Sequence, residues 1–283
     1  MSYADVNGLS LYYEEHGAGE PLVLLHGGFG AAESMQPVIP ALAAARRVIA
    51  VDLQGHGHTG DIDRPLRPEH MADDVAALIA HLGLERADVM GYSLGGTVAL
   101  RTAIQHSERV RRLVVVSVAF RRDGSHPEVL EAMDQMGPAA VEPMRRSPLG
   151  QLYARKAPRP EDWPALVAKT ADLLHQDYDW TAEVEAMTTP TLLVFADADS
   201  IRPEHIVAFY ALLGGGLHDA GWDRSRRPVA QLAILPGTTH YDISMSPALV
   251  PAVTDPAAHA PAPSGPSRND VTAGTSAGDI EMS

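Results

Sequence analysis

Ser93 stands in the run Val89-Met90-Gly91-Tyr92-Ser93-Leu94-Gly95-Gly96-Thr97, a Gly-x-Ser-x-Gly pattern with apolar residues before it and small residues after it. A serine at a sharp strand-to-helix turn adopts strained backbone angles and lifts its Oγ clear of the sheet. Side chains two positions to either side would collide there, so Gly91 and Gly95 must lack a Cβ. Leu94 then opens a helix, and its backbone N–H is free to receive a developing oxyanion. Such a site suits a serine nucleophile. The pattern alone occurs by chance in roughly one chain in ten of this length, so the flanks decide. Residues 86–90 read as a short buried strand and 97–105 as a helix, which is the context the motif requires.

A nucleophilic serine needs a base, and the base needs an orienting carboxylate. His240 lies in Pro236-Gly237-Thr238-Thr239-His240, directly after a strand pattern. Asp197 and Asp199 lie in Ala196-Asp197-Ala198-Asp199, after another. Parity does not separate the two aspartates, and either could instead cap the helix that starts near Pro203. All three loops follow strands, and in a doubly wound sheet ligands bind outside the carboxyl ends of the strands.

The elements that must position these residues follow in chain order. Asn7-Gly8 between short alternating runs at 3–6 and 9–15 predicts a hairpin. Residues 21–25 form a buried strand that ends in His26-Gly27-Gly28-Phe29-Gly30, a loop whose glycines let backbone N–H groups approach a ligand. A helix is expected over 31–45, interrupted by Pro37 and Pro40, then a strand over 47–53. His56 and His58 follow in a tight glycine loop; without a third ligand nearby they read as turn residues, and no metal is expected. A helix over 69–82 and a strand over 110–118 complete an alternation that means parallel β-α-β units.

The alternation then breaks. Residues 120–187 show no clear buried strand, contain Met133, Met136, Met144, Trp163, Tyr178 and Trp180, and predict a helix over 161–175. This stretch reads as a helical cap over the carboxyl edge of the sheet. Trp163 and Trp180 are candidates for the roof of a pocket, with plain cap core as the simpler reading. The sheet resumes at 191–195, with a helix over 203–213, a polar glycine-bearing loop to 228, a last strand over 229–235 and a short helix over 246–253. The expected organisation is a core of 1–119 and 188–254, a cap of 120–187, and a Pro/Ala/Ser/Gly-rich tail, 255–283, expected to be disordered. The fold class is α/β: a doubly wound, mostly parallel sheet with a helical cap insertion.

Composition narrows the function classes. The 283 residues carry a formal net charge of −14 and no cysteine. Disulfides, thiolate metal sites and a cysteine nucleophile are excluded. The negative balance without a basic run argues against nucleic acid and anionic membranes as partners. The N-terminus lacks the basic and apolar regions of a signal peptide, and no uncharged apolar run reaches about 18 residues. A cytoplasmic location is the expectation.

Taken together, His26-Gly27-Gly28, the loop from Asp52 to Gly57, Gly91 to Gly95, the aspartate after the penultimate strand, and Gly237 before His240 resemble the α/β-hydrolase superfamily. The likeness runs from about Tyr3 to Val250 and is nearest to small serine esterases and their haloperoxidase-like relatives. The resemblance implies two-step acyl transfer: Ser93 attacks a carbonyl carbon, His240 takes and returns the proton, and an aspartate holds the imidazole tautomer. The family's acid lies three residues beyond a small residue ending the strand, with a proline soon after. Ala196 and Pro203 then select Asp199 over Asp197, and Asp123 stands as a distant third. Gly28 and Leu94 would hold the oxyanion through their N–H groups, with Phe29 N–H as the alternate for Gly28. Phe29, Tyr92 and Tyr241 are candidate substrate contacts, and His26 is expected to be structural. No cofactor is expected.

The leading function is hydrolysis of small to medium carboxylic esters. Perhydrolysis, lactone opening and C–C bond hydrolysis use the same triad and stay open. The related dehalogenases and most epoxide hydrolases use an aspartate at the elbow, where this chain has Ser93. A non-catalytic binding protein would need a broken triad. The expected partner is a small-molecule ester, with a homodimer the one assembly left open.

Overall fold

The computed structural model describes residues 2–254 of the 283; the expected tail, 255–283, lies outside them. Strands β1 (Ser2–Val6) and β2 (Leu9–His16) form an antiparallel hairpin. Asn7 and Gly8 both take positive φ, 49° and 81°, as a tight two-residue turn between twisted strands requires. β2 pairs antiparallel with β4 (Arg46–Val51). From there the sheet is parallel through β3 (Glu20–Leu25), β5 (Ala87–Tyr92), β6 (Val110–Val116), β7 (Thr191–Ala198) and β8 (Gln231–Thr239). The strand order is β1-β2-β4-β3-β5-β6-β7-β8.

The central strands are buried on both faces, and their side chains divide with period two. Val23, Leu25, Ile49, Val51, Val89, Leu113, Val115, Leu193 and Phe195 enter one core with helices α2 (Pro68–His81) and α3 (Leu94–Gln105). Leu22, Leu24, Val48, Ala50, Met90, Val114, Val116, Leu192 and Val194 enter a second core with α1 (Ile39–Ala43) and the helix Leu249–Thr254. The sheet's carboxyl edge is thereby clamped between two packed layers, which gives the loops at that edge a rigid base.

Between β6 and β7 run α4 (Pro127–Asp134), α5 (Val141–Arg145), α6 (Pro148–Lys156), α7 (Trp163–Leu174) and α8 (Thr181–Glu185). α9 (Pro203–Leu212) follows β7, and Leu249–Thr254 is α10. α7 buries Trp163, Leu166, Val167, Thr170 and Ala171 and joins the first core. Its Lys169 Nζ donates to Asp61 Oδ2 at 2.6 Å, to the Ile62 carbonyl at 2.7 Å and to the Arg64 carbonyl at 2.8 Å. This ammonium fastens the helical stretch to the loop after β4. Among the described residues, no helix is long and apolar enough to cross a membrane.

Several boundaries differ from those the sequence predicts. The helix expected over 31–45 is split into a 3-10 turn, Ala32–Met35, and α1, with Pro40 in the first turn of α1, where a missing N–H costs nothing. The helix expected from 161 begins as a 3-10 turn, Pro160–Asp162, before α7. β7 continues past 195 to Ala198, so Asp197 lies in a strand and not in the turn expected for it. β8 begins two residues late and runs through Pro236 to Thr239, pairing Thr239 with Ala198 after a register shift. Pro and Gly mark a loop there in the sequence; an edge strand tolerates Pro because one side of it has no ladder to complete.

Candidate active site

Ser93 has φ 51° and ψ −119°, outside the regions a non-glycine residue favours. Such a residue costs about 1–3 kcal/mol and persists only when its surroundings dictate it. Here they do. Ser93 N–H donates to the Val116 carbonyl at 3.0 Å, and the Ser93 carbonyl accepts Thr97 N–H at 2.8 Å. A Cβ on Gly91 would overlap the Gly95 carbonyl, and one on Gly95 would overlap the carbonyls of Leu25 and His26. The elbow is therefore wedged between β5, α3 and the end of β3.

His240 follows β8 and turns back over the elbow. Its Nε2 lies 3.1 Å from Ser93 Oγ. Its Nδ1 lies 3.2 Å from Asp199 Oδ1 and 2.9 Å from Ser200 Oγ. Asp199 Oδ2 accepts the Ser117 hydroxyl at 2.6 Å and the Ala196 N–H at 2.9 Å, and Oδ1 accepts the Ile201 N–H at 3.3 Å. The Asp199 side chain is 1% exposed. Burial pushes this carboxyl up, but the hydrogen bonds from His240, Ser117 and Ala196 outweigh it and hold the group below the usual carboxylate range. The group is therefore an anion at neutral pH.

The other two aspartates stand apart. Asp197 points to β8, where its two oxygens accept Gly237 N–H at 2.9 Å and Thr238 N–H at 3.1 Å. Asp123 is exposed and paired with Arg121 at 2.6 Å.

Gly28 and Leu94 are neighbours across the site: a Cβ on Gly28 would meet Leu94 Cβ at 3.9 Å. Leu94 is the first residue of α3, so its N–H has no intrahelical partner. Gly27 lies so close to the elbow that a Cβ there would meet the Tyr92 ring at 2.8 Å and Ser93 Cβ at 3.6 Å. The loop is held from behind by His26, which is fully buried. Leu53 N–H donates to His26 Nε2 at 3.1 Å, so the ring proton sits on Nδ1, 2.7 Å from the Gly27 carbonyl. Burial pushes the imidazole below its ordinary range and keeps it neutral. Asp52 braces the same loops, accepting Ala32 N–H at 2.6 Å and His58 N–H at 2.7 Å. His58 Nδ1 also reaches Asp52, at 2.9 Å, and His56 Nδ1 reaches the Gln54 carbonyl at 2.8 Å. Both histidines thus serve the turn.

The three candidate substrate contacts fall in different places. Phe29 has φ 59°, is 8% exposed, and packs its ring 5.5 Å from that of Trp163 on α7. Tyr92 donates its hydroxyl to the His240 carbonyl at 2.6 Å. Burial, and then the charge of Asp199, push its phenol up to about 12, so it remains a donor. Tyr241 is 74% exposed with its ring edge-on to His240. Trp163 is buried and donates Nε1–H to the Val141 carbonyl at 3.0 Å, whereas Trp180 packs beneath the Arg101 guanidinium. Sequence reasoning misses Ser117 and Ser200. The signals for them are slight: Ser117 interrupts an apolar run, and Ser200 adjoins Asp199.

The family model described as alpha/beta hydrolase fold matches residues 20–201 of the chain. The chain belongs to the alpha/beta hydrolase family. Among curated relatives, this hydrolase is 32% identical over 235 residues to a protein of Azorhizobium caulinodans provisionally named carbamate hydrolase RutD, covering 78% of this chain and 88% of the relative. It is 32% identical over 220 residues to the pimeloyl-[acyl-carrier protein] methyl ester esterase of Aeromonas hydrophila, covering 69% and 84%. Among solved structures, a thermophilic esterase from Thermogutta terrifontis superposes with a TM-score of 0.67 at 23% identity, covering 92% of this chain and 98% of that one. That likeness carries the fold alone.

Proposed function

We propose that this hydrolase cleaves small to medium carboxylic esters through an acyl-enzyme on Ser93. What carries the reading is the line of contacts from Ser93 Oγ to His240 Nε2, 3.1 Å, and from His240 Nδ1 to Asp199 Oδ1, 3.2 Å. With Nδ1 protonated toward the acid, Nε2 has a free lone pair for the serine proton. Ser93 Oγ attacks the ester carbonyl carbon, and the carbonyl oxygen gains charge facing the N–H groups of Gly28 and Leu94. His240 gives its proton to the leaving alcohol. Water then repeats the sequence on the acyl-enzyme, and Ser93 is released with the free acid. Asp199 stays ionised throughout and offsets the imidazolium.

The methyl ester named for the Aeromonas relative supports an ester substrate. The relative named for carbamate hydrolysis gives a second reading, in which the attacked carbonyl bears nitrogen. A panel of p-nitrophenyl esters of rising acyl length, with an aryl carbamate beside them, tests both. Turnover that depends on Ser93, with stoichiometric fluorophosphonate labelling, is the expected result. Turnover that survives Ser93→Ala overturns the proposal. Carbamate turnover above that of every ester would favour the second reading.

A further inference from the structure

Two serine hydroxyls enclose the acid that faces His240. Ser117 follows β6 with φ 55°, a strained backbone for a serine, and is 2% exposed. Its hydroxyl is committed to Asp199 Oδ2 at 2.6 Å. Ser200, 9% exposed, sits on the other side, with Oγ 2.9 Å from His240 Nδ1 and 3.4 Å from Asp199 Oδ1.

The proton positions follow from donor and acceptor chemistry. If His240 Nε2 is to accept from Ser93, Nδ1 must carry the ring proton. That N–H has two acceptors, and the hydroxyl oxygen at 2.9 Å is nearer than the carboxylate at 3.2 Å. Ser200 can accept there only while its own proton points elsewhere, and Asp199 Oδ1 is the acceptor it faces. The carboxylate thus meets the imidazole by two routes, one direct and one through the hydroxyl.

We propose that Ser200 is a positioning residue of the acid–base pair: its hydroxyl shares the His240 Nδ1 proton with Asp199 and passes on the carboxylate's orienting effect, while Ser117 pins the carboxylate from the opposite side. This rests on the reading of Ser93, His240 and Asp199 as the reacting set. No proton changes hands at Ser200. Nδ1–H stays on His240 through both half-reactions, and the Ser200 proton stays on its own oxygen.

The test uses Ser200→Ala and Ser200→Thr in the full chain, assayed on a short-chain p-nitrophenyl ester. The downfield proton resonance of His240 Nδ1 is recorded in a Ser93→Ala background, so that it is independent of turnover. Ser200→Ala lowers kcat by about 3- to 10-fold, the weight of one neutral hydrogen bond, with KM little changed. Ser200→Thr keeps a hydroxyl and restores most of the loss. In Ser200→Ala the resonance moves, because the proton then has the carboxylate as its sole acceptor. Asp199→Asn combined with Ser200→Ala costs less than the product of the two single losses, because both act on one proton. An unmoved resonance with full kcat in Ser200→Ala overturns the proposal, as does a Thr variant no better than Ala. Full activity in His240→Gln would instead defeat the functional reading beneath it.

Discussion

Asp197 Oδ2 accepts the backbone N–H of Gly237 at 2.9 Å, tying the end of β7 to the strand that delivers His240. Its neighbour two residues on, Asp199, faces the imidazole itself. The two carboxylates therefore do different work. Asp199→Asn is expected to lower kcat by orders of magnitude; the equivalent change in trypsin costs about 10⁴-fold, because the histidine takes the wrong tautomer. Asp197→Asn keeps one oxygen acceptor and should cost much less. Steady-state rates of the two variants check this, and the reverse ranking would move the acid to Asp197.

The strain at Ser93 separates activity from stability. Ser93→Ala removes the proposed nucleophile and leaves φ at a costly value, so turnover and fluorophosphonate labelling should vanish while the melting temperature stays near that of the parent. Ser93→Gly also loses activity but relieves the backbone, and it should melt above Ser93→Ala by roughly 1 kcal/mol of added stability. Thermal melts of the two inactive variants decide the point; equal melting temperatures would mean the elbow is relaxed.

Much of this arrangement is legible in the sequence. Gly91 and Gly95 announce the elbow because steric exclusion leaves no alternative residue, and Asn7-Gly8 announces its turn because both positions need positive φ. The apolar strands are visible because both sheet faces are buried. Ser117 and Ser200 are not legible, since a serine in a strand end or loop has no periodicity and its partners are fixed only by packing. The extension of β8 through Pro236 is hidden because the rule that Pro ends a strand fails where one edge is unpaired.

Buried histidines make the fold sensitive to acid. Burial pushes His56 down to about 3, and it pushes His205, stacked on Phe120, down to about 4. In the unfolded chain both bind protons near the ordinary imidazole value of ~6.5. The unfolded state thus takes up more protons, and stability falls as pH drops from there toward the folded values, by about 1.4 kcal/mol per pH unit for His56. Asp199, held low, adds a further loss beneath the ordinary carboxylate range. Urea unfolding midpoints from pH 7.5 to 4.5 should decline, and His56→Gln should flatten the slope. A midpoint independent of pH across that window would contradict this.

Tyr92 supports His240, the base of the proposed mechanism. Its hydroxyl holds the His240 carbonyl at 2.6 Å, and its ring backs Gly27. Tyr92→Phe keeps the ring and removes the tether, so kcat should fall by about 3- to 10-fold and stability by about 1 kcal/mol. If KM rises with kcat unchanged, Tyr92 contacts substrate instead.

Lys169 has consequences for recombining this chain with its relatives. Its ammonium satisfies Asp61 and two carbonyls of the loop after β4, so the helical stretch and that loop form one exchange unit. A chimera that imports a foreign 120–187 without a cation at this place leaves a largely buried carboxylate with Gln54 as its donor but no neutralising charge. Libraries aimed at new substrate selectivity should cut the chain so that residues 54–64 travel with the insert.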